Sequence, residues 1–436
     1  MALCARFVWF SRARYPRRMG IGIIGTGIAG LRTAAELRGR GFAGEITAWD
    51  LERRTPYDRP PLSKELFGNF EQPLADAGYG SFSELDVTVI DEPVDGLWRH
   101  DKFRPAAANG WHVESAGPEK TLDAVVLASG TQPRLSIPDA VPLYSAADAQ
   151  YLRAMVRPNS LIHVVGAGWL GTELASSLGK FGARVELWAR SGHILGKVFG
   201  GAVDSIWGEW LEEAGVRLRP QRYPGLRGLR GEKPDLIIQA IGSAPGLGYL
   251  REPVLLSARG AVVVDVTGQV LDRNLSPIEG LFAAGDCCDI DLGGEGHPKE
   301  LLSGGHWTGA LADAQRVAAS LTGTEPPSFI PAPEVFSEQF GHHIAFFGKV
   351  PAACRNHFNS VPNSPASPRP ASEPIPEPVY TATDNGFTLS WYAEETRGED
   401  SSEAQLAGLL AVDSPREVSR TRRQMRILLP SAERDR

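Results

Sequence analysis

Two glycine-rich runs are the residues whose types and spacing point most directly to chemistry. The first, GTGIAG, follows an apolar run and leads into a helical pattern of leucines and alanines. Gly25 permits a tight turn, Gly27 lets a pyrophosphate approach the backbone, and Gly30 allows the helix to pack close to the strand. Asp50, twenty residues after Gly30 at the end of the next apolar run, can accept a hydrogen bond from a ribose hydroxyl. Because the helix N-terminus also attracts phosphates, the run predicts a dinucleotide site.

The same pattern recurs about 140 residues further on. An apolar run at 161–165 leads into GAGWLG, with glycines at Gly166, Gly168 and Gly171, and a second apolar run follows at 185–188. Two such units in one chain imply two dinucleotides, most naturally FAD and a nicotinamide cofactor. The alternative is a degenerate second unit that only packs against the first.

The second unit lacks an acid at the end of its second strand. Ala189 occupies the usual acidic position, and Arg190 follows it, with Lys197 nearby. A carboxylate there favours NADH through the ribose hydroxyls, whereas an arginine can pair with the 2′-phosphate of NADPH. The sequence therefore favours NADPH over NADH, and the alternative is that Arg190 is a solvated residue at the strand end.

Length and composition limit the class of protein. At roughly 150 residues per domain, 436 residues suggest about three domains. The net charge of −7 argues against binding nucleic acid, and no apolar run is long enough to span a membrane. Four cysteines are too few for a secreted disulfide framework, which predicts a reducing, cytoplasmic location. We expect a monomer or a homodimer and no metal site.

Two segments do not read as folded structure. Residues 1–18 contain five arginines and no acid, which predicts a disordered extension; a transit peptide, or a start codon assigned too early with Met19 as the true start, are the alternatives. Residues 351–378 contain eight prolines, which exclude a regular helix or strand. We interpret this second segment as a mobile loop inserted between strands of the C-terminal domain, and the alternative is a docking motif.

Between and after the two glycine runs the sequence resembles one family in a series of motifs. The segment PYDRPPLSK at 56–64 strongly resembles the signature of the ferredoxin reductases of oxygenase systems, which are FAD-dependent flavoproteins. These resemble putidaredoxin reductase and are related to apoptosis-inducing factor and the pyridine nucleotide-disulfide oxidoreductases. Further matches, in the family's order, are ASGTQPR at 128–134, AIGSAP at 240–245, LFAAGD at 281–286, HWTGA at 306–310, PEVFSEQFG at 333–341 and AVDSPRE at 411–417.

The resemblance implies an α/β fold with two Rossmann-like, three-layer ββα dinucleotide-binding domains and an α+β C-terminal domain. It places the FAD-binding domain at 19–138 and 265–325, the NAD(P)H-binding domain at 139–264 and the C-terminal domain at 326–436. It also implies a set of cofactor contacts. These are Arg59, Lys64, Arg134, Asp286 and Trp307 by side chain, Ala29 and Val94 by backbone, and Gly242 in the AIGSAP element.

A cation such as Lys64 near the flavin ring stabilises negative charge on the reduced flavin. Glu173, two residues after Gly171, occupies the place of a family glutamate near the nicotinamide. We predict a catalytic Lys64–Glu173 ion pair across the domain interface, close to flavin N5; the alternative is two ordinary surface charges. The residue aligned with the family's ribose-binding acid is Leu51, so either Asp50 or Glu52 could serve.

The predicted reaction has no sulfur relay. No CxxxxC follows the first glycine run, and Cys287-Cys288 are interpreted as small buried side chains. We therefore expect hydride transfer from NAD(P)H to FAD, then single-electron transfer to a ferredoxin-type iron–sulfur protein that serves an oxygenase. The alternatives are a stand-alone NAD(P)H oxidase or small-molecule reductase, a monooxygenase, and a slow-turnover signalling flavoprotein resembling apoptosis-inducing factor.

A cluster of arginines near the C-terminus could recognise the acceptor. An acidic ferredoxin needs a basic docking surface, because complementary charge steers the encounter. The candidates are Arg416, Arg420, Arg422, Arg423 and Arg426. The alternative, which we favour slightly, is that these arginines form a solvated helix face.

Overall fold

A computed structural model describes residues 19–99, 110–293, 301–352, 354, 377–392 and 406–428. The predicted disordered extension at 1–18 lies outside the described residues, as does most of the proline-rich segment at 351–378.

A nine-stranded sheet forms the centre of the first unit. Its central strands are apolar and pair in parallel with both neighbours, so they are buried on both faces. In sheet order the strands are β20 (Leu301–Ser303), β19 (Cys288–Asp291), β16 (Val262–Val264), β17 (Gln269–Leu271), β18 (Pro277–Ala283), β9 (Ala124–Leu127), β1 (Ile21–Ile24), β2 (Ile46–Trp49) and β5 (Thr88–Ile90).

Two different layers cover this sheet. On one face Leu31 and Val317 pack with Ile23, and they come from the adjacent helices α1 (Ile28–Gly39) and α7 (Trp307–Thr322). On the other face Trp111 packs with Val125, and it belongs to an antiparallel sheet of β6 (Gly96–Trp98), β7 (Trp111–Glu114) and β8 (Lys120–Leu122). The predicted three-layer ββα arrangement is confirmed for this unit.

The second unit also contains a parallel sheet, but in its described residues no antiparallel sheet packs on it. Its strands, in sheet order, are β13 (Arg217–Arg219), β12 (Arg184–Trp188), β11 (Leu161–Val165) and β14 (Leu236–Gln239), and its helices are α3 (Ala146–Met155), α4 (Trp169–Lys180), α5 (Gly196–Phe199) and α6 (Asp204–Glu213). Helix α4 packs on one face, where Leu174 contacts the core around Ile162. On the other face Tyr223, Leu226 and Leu229 pack against Trp188 from a segment that contains no strand.

The C-terminal unit is an antiparallel sheet with one helix. Its strands, in sheet order, are β22 (Glu334–Gln339), β23 (His342–Gly348), β26 (Leu406–Val412), β25 (Phe387–Tyr392) and β24 (Val379–Ala382), followed in the chain by α8 (Pro415–Gln424). Phe346 and Trp391 of this sheet lie against Phe199, with ring centroids 4.9 and 5.5 Å apart, so the sheet packs on the second unit.

Short elements join the three units. The connection between β2 and β5 contains β3 (Tyr57–Asp58), α2 (Pro61–Lys64) and β4 (Gln72–Pro73). The chain passes from the first unit to the second and later back again. The two connecting segments pair with each other as the antiparallel strands β10 (Thr131–Pro133) and β15 (Ser243–Pro245). A further pair, β21 (Phe329–Pro331) and β27 (Arg426–Leu428), lies at the start and end of the C-terminal unit. The chain returns to the nine-stranded sheet at Val262, slightly before the predicted boundary at 265.

A buried ion pair holds the end of β18 against α7. The fully buried Arg316 donates to Asp313 Oδ1 at 2.6 Å and to the Val266 carbonyl at 2.8 Å. Asp313 Oδ2 accepts from the backbone N–H of Gly285 at 3.0 Å. The pair therefore fixes the turn that carries Asp286.

We predict that Arg316→Ala destabilises the protein by about 3–5 kcal/mol, because it leaves a buried carboxylate without its cation. The measurement is the urea unfolding midpoint. Arg184→Ala serves as the control, since it breaks the solvent-exposed pair with Glu232 and we expect the midpoint to stay almost unchanged. Equal midpoints for Arg316→Ala and the parent protein would contradict the prediction.

Candidate functional site

The first glycine run forms a tight turn into α1. Gly25 has φ of +112°, and a Cβ added there would lie 2.3 Å from the carbonyl oxygen of Ala128. A Cβ at Gly30 would lie 2.0 Å from the carbonyl oxygen of Gly25. A Cβ at Gly27, the N-cap of α1, would meet no protein atom within 4 Å. Packing therefore requires glycine at the outer two positions, and the open space at Gly27 is suited to the close approach of a phosphate.

The second run has the same geometry at the start of α4. A Cβ at Gly166, where φ is +113°, would lie 2.3 Å from the carbonyl oxygen of Ala240, and one at Gly171 would lie 1.7 Å from that of Gly166. A Cβ at Gly168 would again meet nothing within 4 Å. Both units thus present a helix N-terminus with a backbone that a phosphate can reach.

A long cleft of about 1650 Å³, including its open mouth, runs along the first glycine turn. Seven of the predicted cofactor residues line it: Gly25, Gly27, Ala29, Asp50, Arg59, Val94 and Asp286. Its walls combine backbone N–H groups of the turn, acids at the end of β2 and the segment after β18. This combination fits a dinucleotide with an extended diphosphate.

The two candidate ribose-binding acids both reach the cleft, and both also hold protein groups. Asp50 is buried and accepts from the Thr26 hydroxyl at 2.6 Å and from the backbone N–H of Arg54 at 2.9 Å. Glu52 accepts from the Tyr57 hydroxyl at 2.6 Å and forms an ion pair with Arg59. Since each carboxylate lines the cleft, both stay candidates for the ribose.

Arg59 is fixed between two rings. Its guanidinium group lies 4.6 Å from the centre of the Tyr144 ring and 5.5 Å from that of Tyr57. It also donates to the Tyr144 carbonyl at 2.8 Å and pairs with Glu52. The cation is therefore held rigidly at the wall of the cleft.

Asp286 places a carboxyl group in the cleft wall. Burial raises the pKa of Asp286, and the neighbouring His306 and Arg259 only partly oppose this effect. Among the described residues no hydrogen-bond donor reaches its carboxylate. A ligand hydroxyl can therefore occupy this acceptor, as a ribityl chain would.

Lys64 and Glu173 form the predicted ion pair. The Lys64 ammonium lies 3.0 Å from Glu173 Oε1, and their side chains are 16% and 7% exposed, so these are not ordinary surface charges. Glu173 also accepts hydrogen bonds from the Ser63 and Ser337 hydroxyls. The carboxylate thus meets groups from all three units. That part of the prediction is confirmed, and proximity to flavin N5 stays a prediction.

Trp307 lies in the same region as Lys64. Burial raises the pKa of Asp58, and the adjacent Trp307 and the charge of Lys64 partly oppose the rise, which places all three side chains together. The Trp307 ring also packs edge-on against Tyr79, with centroids 5.4 Å apart. An aromatic ring and a cation thus lie near Asp58, although neither lines the cleft.

Three predicted residues lie elsewhere. Arg134 is exposed, donates to the Ser243 carbonyl at 3.0 Å and does not line the cleft. Gly242 has φ of +99° in the turn before β15. Arg190 is exposed at the end of β12, and no ion pair from a described residue neutralises it. Their roles in cofactor binding stay predictions.

Sequence reasoning did not single out several residues that the structure places in the site. Ser63 and Ser337 lie within motifs that carried the resemblance, so a signal existed for them. Tyr144 and Tyr249, whose hydroxyl donates to Ser129 Oγ at 3.0 Å, line the cleft without any local signal.

The cysteines form no relay in the described chain. Cys287 and Cys288 are free thiols, and both are buried, as is Cys354. Hydrogen bonding to Cys287 and burial raise the pKa of the Cys288 thiol, which disfavours the reactive thiolate. The described residues contain no group of His, Cys, Asp and Glu side chains that could hold a metal ion. Nor do they include a helix with the length and apolar character needed to cross a membrane. The cytoplasmic location and the oligomeric state stay predictions.

The fold and the site agree with one family. The chain belongs to the pyridine nucleotide-disulphide oxidoreductase family, which matches residues 19–314. It is 29% identical over 356 residues to the ferredoxin–NAD(+) reductase subunit of the benzene 1,2-dioxygenase system of Pseudomonas putida, covering 76% of this chain and 80% of that one. Human apoptosis-inducing factor 3 is 27% identical over 360 residues, and the match covers 77% of this chain and 56% of the human protein. The predicted resemblance to ferredoxin reductases is confirmed.

Solved structures share the whole architecture. Fdr9 superposes with a TM-score of 0.70 at 25% identity and covers 93% of this chain and 94% of its own. The covalent putidaredoxin reductase–putidaredoxin complex gives a TM-score of 0.70 at 20% identity, covering 93% of each chain. An engineered water-forming NADPH oxidase bound to NADPH gives 0.67 at 18% identity, covering 93% and 91%. The predicted two Rossmann-like domains with an α+β C-terminal domain are thereby confirmed as the fold class.

We predict that Gly27→Ala and Gly30→Ala fail in different ways. Gly27→Ala adds a methyl group to the space expected to hold the phosphate, so the purified protein should retain about one tenth of the parent's FAD or less. With FAD removed from both proteins, it should unfold at the same temperature as the parent, since bound FAD itself stabilises the fold. Gly30→Ala forces a clash inside the turn and should lower the unfolding temperature. The measurements are the flavin-to-protein absorbance ratio and thermal unfolding. Full FAD retention by Gly27→Ala would contradict the assignment.

Proposed function

We propose that this chain is an FAD-dependent NAD(P)H oxidoreductase that passes electrons to a ferredoxin-type iron–sulfur protein, which in turn serves an oxygenase. The observation that carries the proposal is the buried Lys64–Glu173 pair. It joins the unit with the FAD-sized cleft to the first turns of α4, the helix suited to bind the nicotinamide dinucleotide. The two cofactor sites therefore meet at a fixed charge pair.

The residues of the chain supply binding, orientation and charge. When bound, FAD takes up two electrons together and releases them singly. The backbone at Gly27 and Gly168 would hold the two diphosphates, and Asp286 would accept from a ribityl hydroxyl. The Lys64 ammonium, kept in place by Glu173, would stabilise negative charge beside the flavin ring. Since the adjacent Cys287 and Cys288 are buried free thiols, direct electron release is favoured over a disulfide relay.

The acceptor is proposed from the relatives. The similar proteins are named as ferredoxin reductases of the benzene and biphenyl dioxygenase systems, terpredoxin reductase and rhodocoxin reductase. Matches to these relatives cover at least 75% of this chain, and the chain covers most of theirs. This supports an iron–sulfur protein as the acceptor and an oxygenase as the final consumer.

The arginine cluster near the C-terminus is largely neutralised within the chain. Arg416 pairs with Asp384, Arg420 with Glu417 and Arg422 with Glu334. Arg426 lies over the Phe329 ring at 4.3 Å. Arg423 of α8 is exposed, and no ion pair with a described residue neutralises it. We therefore propose that α8 contributes to docking through Arg423 and through exposed pairs that can exchange partners, which agrees with the favoured interpretation of a solvated helix face.

We propose NADPH as the preferred reductant. Arg190 is exposed at the end of β12 next to buried Ala189, so this edge carries a cation where a carboxylate would contact the ribose of NADH. The engineered NADPH oxidase has three consecutive substitutions that change Asp-Ala-Met to Ala-Arg-Ser, and a fourth at a glycine 18 positions before the first of them. In this chain Ala189-Arg190-Ser191 is the same triplet, whereas Gly171, 18 positions before Ala189, is still the glycine that the engineered oxidase has replaced by alanine.

The names of the relatives favour the other cofactor, since several are called NAD(+) reductases. Local charge decides between the two. A carboxylate would repel the 2′-phosphate and bind both ribose hydroxyls, but this chain has alanine there. An arginine and a serine can instead donate to the phosphate. The immediate environment therefore supports NADPH.

We predict that NADPH bleaches the flavin faster than NADH at equal low concentration in anaerobic stopped-flow reduction. Arg190→Gln should weaken the apparent affinity for NADPH by about 10- to 100-fold, the loss expected for a charged hydrogen bond, with little effect on NADH. Arg217→Gln, which removes an exposed arginine of β13, is the matched control. A parent protein that prefers NADH would refute the argument from Arg190.

We predict that rapid cytochrome c reduction by NADPH requires an added ferredoxin of an oxygenase system. The control is oxygen consumption without ferredoxin, which should be slow. Fast oxygen consumption that ferredoxin does not change would identify a stand-alone oxidase. Tight FAD binding with slow turnover under every condition would identify a signalling flavoprotein.

A further inference from the structure

The Glu173 carboxylate stands at the end of a chain of buried hydrogen bonds that starts in α6 of the second unit and passes through β22 of the C-terminal unit. Trp207 Nε1 donates to Gln339 Oε1 at 2.8 Å, and Gln339 Nε2 donates to Ser337 Oγ at 2.9 Å. The Ser337 hydroxyl then donates to Glu173 Oε1, the atom that pairs with Lys64. We propose that Trp207, Gln339 and Ser337 are positioning residues that fix Glu173 and, through it, the Lys64 ammonium. What the ammonium does for the flavin rests on the proposed function.

The chemistry of the groups sets the direction of this relay. An indole N–H can only donate, so the Gln339 atom facing Trp207 must be its carbonyl oxygen. The Gln339 amide nitrogen then faces Ser337 and can only donate. Ser337 accepts that bond, which leaves its own proton for Glu173. Every donor in the relay therefore points towards the carboxylate.

The members of the relay are buried, so each donor matters for the position of Glu173. Trp207 and Gln339 are fully buried, and Ser337 and Glu173 are 4% and 6% exposed. Water cannot replace a missing donor there, and a buried carboxylate without donors is costly. If the Ser337 hydroxyl is removed, we therefore expect the Glu173 carboxylate to shift towards another donor and the Lys64 ammonium to shift with it.

The other side of the carboxylate is fixed independently. Ser63 donates to Glu173 Oε2, and the Ser63 carbonyl accepts from the Ser177 hydroxyl of α4 at 2.6 Å. Glu173 is thus held at both oxygens, by α2 on one side and by β22 on the other. Only the β22 side depends on the C-terminal unit.

Strand β22 touches Lys64 in a second way. Phe336, next to Ser337, places its ring under the Lys64 ammonium, with Nζ 5.4 Å from the ring centre. A shift of β22 would therefore alter both contacts of the cation. This favours a role in placing Lys64 over simple cohesion between units.

The test uses the FAD-loaded protein and measures how fast Lys64 is acetylated by N-hydroxysuccinimidyl acetate, with mass spectrometry of its peptide. A fixed, ion-paired ammonium reacts slowly. We expect Ser337→Ala to raise the rate about fivefold, the effect of one buried hydrogen bond, and Ser337→Thr to restore it by returning the hydroxyl. Ser390→Ala, at a buried serine of β25, is the matched control and should leave the rate unchanged.

The flavin midpoint potential is the second readout. If the relay acts through Lys64, both Lys64→Gln and Ser337→Ala lower the flavin midpoint potential, and Ser337→Ala lowers it less. In a Lys64→Gln background, Ser337→Ala then has no further effect on the potential. An unchanged labelling rate in Ser337→Ala, or an equal potential shift in both backgrounds, would overturn the relay. If Lys64→Gln leaves the potential unchanged, the proposed role of the lysine fails, and the labelling rate still decides the relay by itself.

Discussion

A buried carboxylate must be surrounded by donors, and Glu173 of α4 obtains its donors from two other parts of the chain. Ser63 and Lys64 come from α2, Ser337 comes from β22, and Glu173 itself is one turn into α4. None of the three units can move relative to the others without exposing or stranding this charge. Glu173 therefore helps to fix the relative placement of the two dinucleotide-binding units, beside the β10–β15 pair and the Ser177–Ser63 hydrogen bond.

The two glycine turns have the same steric requirements, but the strand ends beside them carry different charges. In both, the outer glycines are required by backbone contacts within the protein, and the central glycine is free for a ligand. The first strand end continues into Asp50, whereas the second continues into Ala189 and Arg190. Backbone geometry thus leaves room for a diphosphate at both turns, and we propose that the strand-end side chain selects the ribose.

Local patterns could predict the parts of the site that are local. The strand–turn–helix units follow from glycine spacing and apolar runs, and the Lys64–Glu173 pair follows from motifs of a known family. The relay to Trp207 could not be predicted, because its members are 132 and 164 residues from their partners along the chain and meet only when the C-terminal sheet docks. The packing of Tyr223 on the second sheet could not be predicted either, because a loop has no hydrophobic periodicity that would indicate which side chains are buried. Arg134 shows the opposite limit: its motif is present, yet its side chain binds the Ser243 carbonyl outside the cleft.

Helix α4 links cofactor binding to the charge pair mechanically. The same helix presents Gly168 at its N-cap and Glu173 one turn later, so a ligand held by the first fixes the second to within a rigid turn. Its far side is tied to α2 through Ser177 and to the C-terminal unit through Ser176, which accepts from the backbone N–H of Phe340 at 2.7 Å. A nicotinamide dinucleotide that pulled on the N-terminus of α4 would therefore act on Lys64 as well. This arrangement makes the position of the cation depend on the whole three-unit assembly, which a surface lysine could not do.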